Sequence, residues 1–385
     1  MKIGIDCRMY STQFTGIGRY VFELTQNLFN IDHKNEYVLF FNDHEYTAFQ
    51  PPNSRITKVL VNARHYSLKE QTHFLKLLNR EHLDLMHFTH FNAPLLYRRP
   101  SVVTIHDLTL SFYPGKKMTS PLHRLAYHLI INNAVRKAKK VIAVSKNTKK
   151  DIEKILKIPA EKIEVIYEGI NENFKKLIPS NLVDQTKKKY EIPGSYLLYT
   201  GVWRSHKNLP NLIKAFHILK NDYGYDGSLV ITGKSDPVYA PEIMEHTQTL
   251  QLENDIIFTG LVSEEELIAL YKGAQVYVFP SYYEGFGLPP LEAMSVGTPV
   301  ACSNRSCMPE ICGSSPDISS IPGIPTALFF NPDHPKEIAS QTFRLISEES
   351  LRTTLIQNGL RHITRFEWLK MAKETLALYQ KCFLA

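Results

Sequence analysis

The sequence predicts an α/β protein with two Rossmann-like domains, each built around a parallel β-sheet. Two observations support this fold class. Short apolar runs rich in β-branched residues alternate with longer stretches of helical periodicity, which is the pattern of βαβ units. The length of 385 residues also exceeds the size at which one hydrophobic core usually keeps growing. Parallel sheets of this kind are expected to carry helices on both faces.

The predicted strands fall into two groups. The first group is Ile3–Ile5, Tyr37–Phe41, Leu85–Phe88, Val102–Ile105, Val141–Val144 and Ile163–Ile166. The second group is Tyr196–Tyr199, Leu229–Ile231, Ile256–Phe258, Val276–Phe279 and Pro299–Ala301. Between the groups, residues 173–194 are polar and rich in lysine and contain two prolines, which indicates a linker. We therefore expect a first domain at 1–172 and a second at 195–365, facing each other across a cleft.

Positive charge is concentrated in one part of the chain. The net charge is +7, but the segment from Leu108 to Lys150 contains ten lysines and arginines and no acidic residue. Such a segment predicts either a set of solvated helix faces or an anionic partner. A membrane surface is favoured over nucleic acid, because few of the aromatic side chains that a stacking surface needs lie among the charges. We expect no nucleic-acid partner.

The composition favours a cytoplasmic protein. The opening residues, M-K-I-G-I-D-C-R, have no signal-peptide pattern, and no apolar stretch near twenty residues follows them. Five cysteines, an odd number, indicate reduced thiols. Cys302, Cys307 and Cys312 are spaced too widely for a zinc knuckle, so we expect core or loop thiols. Peripheral attachment to the inner face of the membrane is the further possibility that the basic segment raises.

The strongest motif follows the predicted strand Val276–Phe279, where the chain reads S-Y-Y-E-G-F-G-L-P-P-L-E. It places Glu284 and Glu292 on either side of a turn that leads into a predicted helix. Gly285 and Gly287 let a ligand approach bare backbone, and the start of the helix offers N–H groups without partners. This arrangement suits a phosphate.

A second motif supplies the cations that such a phosphate requires. The sequence G-V-W-R-S-H-K-N follows the predicted strand Tyr196–Tyr199 and contains Arg204 and Lys207. A cation at the start of a helix opposes the helix dipole unless an anion lies there too, so this position favours a functional lysine. Two other motifs are excluded. The T-G-K-S at 232–235 lacks the first glycine of a P-loop, and no D-x-D that would bind a metal occurs.

The two motifs together resemble the nucleotide-sugar site of retaining glycosyltransferases of family four, also called glycosyl transferases group 1, and in particular bacterial mannosyltransferases. The resemblance implies the glycosyltransferase B fold. In that fold the final helix, expected within 366–385, crosses back to the first domain. It further implies that the first domain takes the acceptor and that the second takes the nucleotide-sugar donor. No metal or other cofactor is implied, because protein cations hold the leaving diphosphate.

The resemblance also implies roles for particular residues. Arg204 and Lys207 would neutralise the diphosphate, Glu284 would meet hydroxyls of the transferred hexose, and Glu292 would hold the ribose. His106, after strand Val102–Ile105, would meet the donor sugar and completes the catalytic set with Glu284, Arg204 and Lys207. The residues implied to bind the donor are Gly16, Gly18, Arg204, Lys207, Glu284, Gly285, Phe286, Gly287, Leu288 and Glu292.

Three further residues of the first domain have alternative readings. Arg19, in F-T-G-I-G-R-Y, is either an acceptor contact or a surface charge, and the surface charge is slightly favoured. Asp107 either orients His106 or contacts the acceptor. Glu168 stands where relatives more often have asparagine, so its role does not carry over.

The expected function is transfer of a hexose, with retention, from a nucleotide diphosphate sugar to a saccharide or lipid-linked acceptor. GDP-mannose is the first choice of donor and a UDP-hexose the second, and the acceptor is expected in lipopolysaccharide biosynthesis. Two alternatives remain, namely a sugar-nucleotide epimerase of the same fold and a non-catalytic scaffold that binds nucleotide sugars. The E-G-F-G-L-P-P-L-E run disfavours the epimerase, and the joint presence of Lys207, Glu284 and Glu292 disfavours the scaffold.

Overall fold

The computed structural model describes residues 1–11, 16–115, 120–176, 178–179, 181–313 and 325–384. The chain divides into two compact units. Unit 1 consists of Met1–Leu108, Lys117–Gly169 and Phe366–Ala385, and unit 2 consists of Thr109–Lys116 and Ile170–Arg365.

The described part of unit 1 contains one parallel sheet. Its strands are β1 (Lys2–Asp6), β2 (Glu36–Phe41), β3 (Ile56–Leu60), β4 (Leu85–Phe88), β5 (Ser101–Ile105), β6 (Lys140–Ala143) and β7 (Ile163–Val165). They lie in the order β3-β2-β1-β4-β5-β6-β7, and every neighbouring pair is parallel. All residues of β4 and β5 are buried, because the strands at the centre of the sheet are covered on both faces.

The helices of unit 1 connect these strands. They are α1 (Gly16–Ile31), α2 (Asp43–Ala48), α3 (Leu75–Arg80), α5 (Pro121–Lys137), α6 (Lys146–Asp151) and α15 (Trp368–Leu384), and α4 (Thr109–Phe112) belongs to unit 2. The final helix α15 packs against α1, as the family resemblance implied for residues 366–385.

A buried hydrogen-bond chain fixes α15 to the sheet. The Tyr379 hydroxyl lies 2.6 Å from His87 Nδ1, and His87 Nε2 lies 2.8 Å from Thr104 Oγ1. Thr104 in turn contacts the Tyr20 hydroxyl of α1 at 3.0 Å. Burial, and then the charge of His106, lowers the pKa of His87 to about 3, so the ring is neutral and one of its nitrogens accepts while the other donates.

The described part of unit 2 contains a second parallel sheet. Its strands are β8 (Tyr196–Thr200), β9 (Ser228–Thr232), β10 (Ile256–Gly260), β11 (Val276–Phe279), β12 (Val300–Ser303) and β13 (Leu328–Phe330), in the order β10-β9-β8-β11-β12-β13. Its helices are α4, α7 (Leu182–Lys189), α8 (Leu209–Tyr223), α9 (Ala240–Thr249), α10 (Glu264–Gly273), α11 (Leu288–Ser295), α12 (Met308–Ile311), α13 (Pro335–Ser347) and α14 (Glu349–His362).

The strands that the sequence prediction missed are edge strands. β3 and β13 each lie at an edge of their sheet, and each has half-buried or exposed residues. A strand that is covered on only part of its surface does not have to be apolar throughout. The predictions therefore found the buried strands and passed over these two.

Residues 173–194 are not the linker that their composition suggested. They belong to unit 2 and contain α7, of which only Thr186 is buried. The segment is nevertheless attached, since the Phe174 ring lies 5.9 Å from that of Tyr271 and the Tyr190 hydroxyl donates to Glu266 at 3.1 Å. A short helix that is mostly exposed has the polar composition of a linker.

Gly169 is required for the close approach of the final helix. A Cβ at this position would lie 2.2 Å from the backbone nitrogen of Trp368 and 2.6 Å from the carbonyl carbon of Glu367. We predict that Gly169→Ala lowers the free energy of unfolding by about 1–3 kcal/mol, because backbone cannot move aside as a flexible side chain can. Thermal unfolding measures this, and Gly194→Ala is the matched control because no atom lies within 4 Å of its Cβ position. Equal melting temperatures for the two variants would contradict the prediction.

Candidate functional site

An ion pair connects the two strongest sequence motifs. Lys207 ends a short 3₁₀ helix, Ser205–Lys207, between β8 and α8, and Glu284 lies in the loop between β11 and α11. Lys207 Nζ is 2.6 Å from Glu284 Oε1, with the two side chains 17% and 14% exposed. Because β8 and β11 are neighbours in a parallel sheet, both loops leave the same edge of the sheet.

Hydrogen bonds fix the two loops to each other. The Tyr282 N–H donates to the His206 carbonyl at 2.7 Å. The buried Asn208 amide donates to the carbonyls of Pro280 and Pro332, at 3.1 and 2.8 Å. Asn208 has φ of 60°, a left-handed conformation that asparagine tolerates better than most residues. The position of Lys207 is therefore set by the neighbouring turn as well as by its own ion pair.

The loop of Glu284 is also held from its other side. Ser306 Oγ donates to the Glu284 carbonyl at 2.6 Å and accepts from the Glu284 N–H at 3.2 Å. Cys307 Sγ lies 3.2 and 3.0 Å from the carbonyl oxygens of Glu284 and Phe286, which share its single S–H. Burial, with the charges of Glu284 and Glu310, raises the pKa of the Cys307 thiol well above its usual value. This cysteine is therefore a protonated hydrogen-bond donor that supports the loop.

Gly287 brings bare backbone to the start of α11. Its φ is 95°, and a Cβ there would lie 2.2 Å from Met308 Cε. The helix follows at once with Leu288 and has proline in its first turn, while Phe286 is buried beside it. Pro289 and Pro290 have no N–H group, so Leu288 is the residue at the start of the helix whose N–H can receive an anion such as a phosphate oxygen.

Glu292 is held by buried hydroxyl groups. The Tyr271 hydroxyl donates to Glu292 Oε2 at 3.0 Å, and Thr200 Oγ1 lies 2.9 Å from the hydroxyls of both Tyr271 and Tyr277. Burial and then the charge of Glu292 raise the pKa of Tyr271 well above its usual value, so this hydroxyl keeps its proton and donates. Glu292 is thereby oriented before any ligand is present.

Arg204 and Lys207 differ in their surroundings. Arg204 is exposed, and its side chain makes no ion pair within the described ranges of the chain. Lys207 is mostly buried and lies against the Phe279 ring at 5.5 Å as well as against Glu284. The anion that a lysine at this position requires is therefore present within the protein, in the form of Glu284. Lys207 is preorganised, whereas Arg204 is free to turn towards a ligand.

Aromatic side chains from the segment after Leu108 lie beside these loops within unit 2. The Tyr113 ring is stacked on that of Tyr282 at 6.2 Å, and the Phe112 ring lies 4.8 Å from that of Tyr283. Tyr113 also lies 6.1 Å from the His206 ring. Residues 109–115, which the sequence analysis placed in the first domain, thus form part of the surroundings of Lys207 and Glu284.

In unit 1, His106 is paired with the carboxylate that the sequence analysis left without a role. His106 Nδ1 lies 3.1 Å from Glu168 Oε1, and its Nε2 donates to the Thr89 carbonyl at 3.0 Å. The Tyr20 ring meets the imidazole edge-on at 4.7 Å. Glu168 and Thr89 together fix the plane of this histidine.

The N-terminal glycine motif is described only in part. Thr12–Thr15 lie outside the described residues, α1 begins at Gly16, and Gly18 is buried. Arg19 is not a plain surface charge, because its side chain is 11% exposed and pairs with Glu23 at 3.1 Å. These contacts keep Arg19 along the helix.

Several residues of these sites could not be found by motif. Asn208, Ser306 and Cys307 fix loops through backbone carbonyls, and the partners of such contacts are distant in sequence. Tyr199 is fully buried in β8, and its hydroxyl has no hydrogen bond to the described residues. No group of three or more histidine, cysteine or acidic side chains suited to a metal occurs in the described ranges.

Two family profiles match the chain. The profile described as Glycosyltransferase Family 4 matches residues 14–174, and that described as Glycosyl transferases group 1 matches residues 183–362. The chain is 26% identical to O-antigen chain mannosyltransferase B of Escherichia coli over 400 aligned positions, which cover 99% of this chain and 100% of that protein. It is 30% identical to O-antigen chain mannosyltransferase RfbU of Salmonella typhimurium over 248 residues, which cover 64% of this chain and 61% of that protein.

Solved structures share the fold. Sucrose-phosphate synthase from Thermosynechococcus elongatus superimposes with a TM-score of 0.78 at 19% identity, over 100% of this chain and 99% of that one. HepE from Anabaena, in complex with UDP and glucose, gives a TM-score of 0.76 at 18% identity, over 99% of this chain and 100% of that one. The predicted two-domain α/β fold is confirmed. The chain belongs to the family 4 glycosyltransferases, in the group 1 class with the glycosyltransferase B fold, and is a transferase enzyme.

Proposed function

We propose that this glycosyltransferase moves a hexose from a nucleotide diphosphate sugar to a saccharide or lipid-linked acceptor, with retention of anomeric configuration. The observation that carries the proposal is the pair of Lys207 and Glu284 beside the start of α11. A cation, a carboxylate and the N–H group of Leu288 at one sheet edge match the charges of a leaving diphosphate and the hydroxyls of a sugar.

The proposed donor is GDP-mannose, with a UDP-hexose as second choice. Two relatives named as O-antigen chain mannosyltransferases support mannose, and they also support an acceptor in lipopolysaccharide biosynthesis. The second choice is supported by HepE, which was solved with UDP and glucose. A panel of nucleotide sugars, assayed for transfer and for donor hydrolysis, distinguishes the two.

In the proposed mechanism the diphosphate replaces Glu284 as the ion-pair partner of Lys207. Arg204 turns inward and adds a second cation, and the N–H group of Leu288 donates to a phosphate oxygen. The carboxylate of Glu284, released from Lys207, then accepts hydrogen bonds from the hexose, and Glu292 accepts them from the ribose. We assign no carboxylate as a covalent nucleophile, so the acceptor attacks the face that the phosphate leaves, and that phosphate takes the acceptor proton.

His106 is the proposed sugar contact in unit 1. Its imidazole is fixed by Thr89 and Glu168, so only a small part of the ring remains available to a ligand. A fixed ring supports a role in orientation, because a preorganised group loses little entropy on binding. Gly16 and Gly18 are proposed as close backbone contacts at the start of α1.

The sequence left an epimerase and a non-catalytic scaffold as alternatives, and the family assignment favours the transferase over both. Each has an outcome that identifies it. Conversion of one nucleotide sugar to another without an acceptor would indicate the epimerase, and nucleotide-sugar binding without either hydrolysis or transfer would indicate the scaffold. Release of GDP or UDP from the purified protein supports the transferase.

Lys207→Ala should reduce transfer by about 10²-fold or more, because the diphosphate then lacks its preorganised cation. The measurement is steady-state transfer from the preferred donor. Lys220→Ala is the matched control, since Lys220 is also a partly buried lysine of unit 2 and pairs with Asp255 at 2.6 Å. Wild-type turnover in Lys207→Ala would contradict the assignment of the diphosphate to this lysine.

Transfer should persist in excess EDTA. The sequence has no D-x-D, and Lys207 and Arg204 are proposed to neutralise the charge that a divalent cation would otherwise neutralise. The rate is measured with and without the chelator, at constant ionic strength. A loss of activity that Mn²⁺ or Mg²⁺ restores would contradict this part of the proposal.

We also propose that unit 1 binds an anionic membrane surface through α5. Leu122, Leu125 and Leu129 are 72%, 56% and 55% exposed, and their spacing puts them on one face of the helix. An exposed apolar face within a segment rich in cations is typical of helices that lie in a membrane interface. None of the described helices is long and apolar enough to cross a membrane.

The cations of the basic segment do not all contribute to such binding. Lys137, Lys139 and Lys140 donate to the carbonyls of Leu95, Cys382 and Glu161, so part of the charge is bound to the protein's own backbone. Lys116 and Lys117 lie outside the described residues. The exposed leucines of α5 therefore support membrane binding more strongly than the total charge does.

The protein should sediment with vesicles rich in phosphatidylglycerol. Less protein should sediment as salt is raised, because the Debye length falls below about 10 Å above 0.1 M salt and the attraction between cations and anionic lipid is screened. Replacing Leu122, Leu125 and Leu129 together with serine should abolish most of this binding. Leu360→Ser is the control, because Leu360 is an exposed leucine of unit 2. Equal binding to neutral vesicles, or no binding to either kind, would contradict the proposal.

A further inference from the structure

A short aromatic segment of unit 2 crosses the carboxyl edge of its sheet. We call it the aromatic strap and define it as residues 109–115, which begin with α4 and end at Gly115. At one end, a Cβ on Gly115 would lie 2.8 Å from the hydroxyl of Tyr239, which lies between β9 and α9. Nearer the other end, the Phe112 ring lies 4.8 Å from that of Tyr283, in the loop after β11. Since β8 lies between β9 and β11, the strap also passes the loop that follows β8.

The strap contacts both loops that form the ion pair of Lys207 and Glu284. The Tyr113 ring lies 6.1 Å from that of His206, which is the residue before Lys207. Phe112 contacts the residue before Glu284. The strap therefore lies beside the place where the diphosphate of the donor is proposed to bind.

No charged side chain belongs to the strap. Its sequence is T-L-S-F-Y-P-G, so it brings aromatic and aliphatic surface to a site with charged side chains. When such a segment covers a site it excludes water, and the attraction between a lysine and a diphosphate is stronger where water is excluded. The composition suits a cover for the site and not a partner for the charge of the ligand.

The strap is loosely packed. None of its residues is buried, and Phe112 is 45% exposed. Its contacts with the loop after β11 are between rings, and the Tyr113 ring is stacked on that of Tyr282 at 6.2 Å. Segments with few buried contacts open at a small fraction of the cost of global unfolding, and active-site lids are drawn from such segments.

The two ends of the strap suit a segment that moves about fixed points. Leu108, the residue before the strap, is completely buried in unit 1. At the other end Gly115 has φ of 62°, a conformation that glycine adopts without strain. Lids turn about a few such positions, where the backbone can absorb a large change in its dihedral angles.

We propose that the aromatic strap is a lid on the donor site, which leaves Tyr282 and Tyr283 to admit the nucleotide sugar and returns over the bound diphosphate. Its movement limits the rates at which the nucleotide enters and leaves, whereas Lys207 and the N–H group of Leu288 determine how tightly the diphosphate binds. This inference rests on the proposed function and adds to it the step that controls exchange of the donor.

The test measures the rates of GDP association and release in the full-length chain by stopped-flow fluorescence. Trp203 follows β8 and reports binding beside Lys207. Phe112→Ala and Tyr113→Ala should each raise both rates by about three- to tenfold, because each removes an aromatic contact that keeps the strap closed. The dissociation constant of GDP should change by less than about threefold, since these contacts form with and without the ligand.

Matched variants separate the lid from a general effect of removing a ring. Tyr113→Phe keeps the ring and should keep both rates at the wild-type values. Tyr223→Ala should change neither rate, because Tyr223 is an aromatic residue of unit 2 that is 37% exposed and packs on the Phe343 ring at 4.6 Å. Phe112→Ala should also unfold at the wild-type temperature, since no residue of the strap is buried.

Two results would overturn the lid alone. Unchanged rates in both Phe112→Ala and Tyr113→Ala would mean that the strap does not open for the ligand. Weaker GDP binding with an unchanged association rate would make the strap a fixed wall of the site. Failure of the proposed function has a different signature, in which the wild-type chain binds neither GDP nor UDP, and that result would overturn the lid as well.

Discussion

The contact between Lys207 and Glu284 is the constraint on which the geometry of the candidate site in unit 2 depends. A lysine ammonium beside the start of α8 faces the positive end of the helix dipole, and it is mostly buried, so it requires a close anion. Glu284 supplies that anion from a loop 77 residues away in sequence. The remaining contacts, from Asn208, Ser306 and Cys307, hold both loops where this pair can form.

This arrangement allows the site to be stable when empty and still to bind a diphosphate as proposed. With no ligand present, Glu284 neutralises Lys207, and neither charge is left buried alone. In the proposed mechanism a diphosphate offers Lys207 a stronger anion next to the N–H group of Leu288, and Glu284 becomes available to hydroxyl groups. The proposed binding of the leaving group and the proposed exposure of a sugar-binding carboxylate are thereby coupled through a single lysine.

The sequence predicted the structural features that depend on a local pattern of residues. Buried strands such as Leu85–Phe88 and Val276–Phe279 were found with their observed bounds because their residues are apolar throughout. The edge strands β3 and β13 and the exposed helix α7 were not, since partly covered elements have mixed composition. At the site, Lys207 and Glu284 followed from motifs, but their direct contact did not. The pairing of His106 with Glu168 and the contacts of residues 109–115 with the loops of unit 2 depend on segments that are distant in sequence, and no local pattern reports them.

The affinity for GDP of the wild-type chain, Glu284→Gln and Lys207→Ala tests the central claim most directly. GDP carries the diphosphate but no hexose, so the proposed contact between Glu284 and the sugar does not contribute to the measured affinity. If Lys207 must leave Glu284 to bind the diphosphate, Glu284→Gln should bind GDP as tightly as the wild type or more tightly. Lys207→Ala should bind it about tenfold more weakly or worse, a loss of about 1.4 kcal/mol. A loss of GDP affinity in Glu284→Gln as large as that in Lys207→Ala would contradict the account.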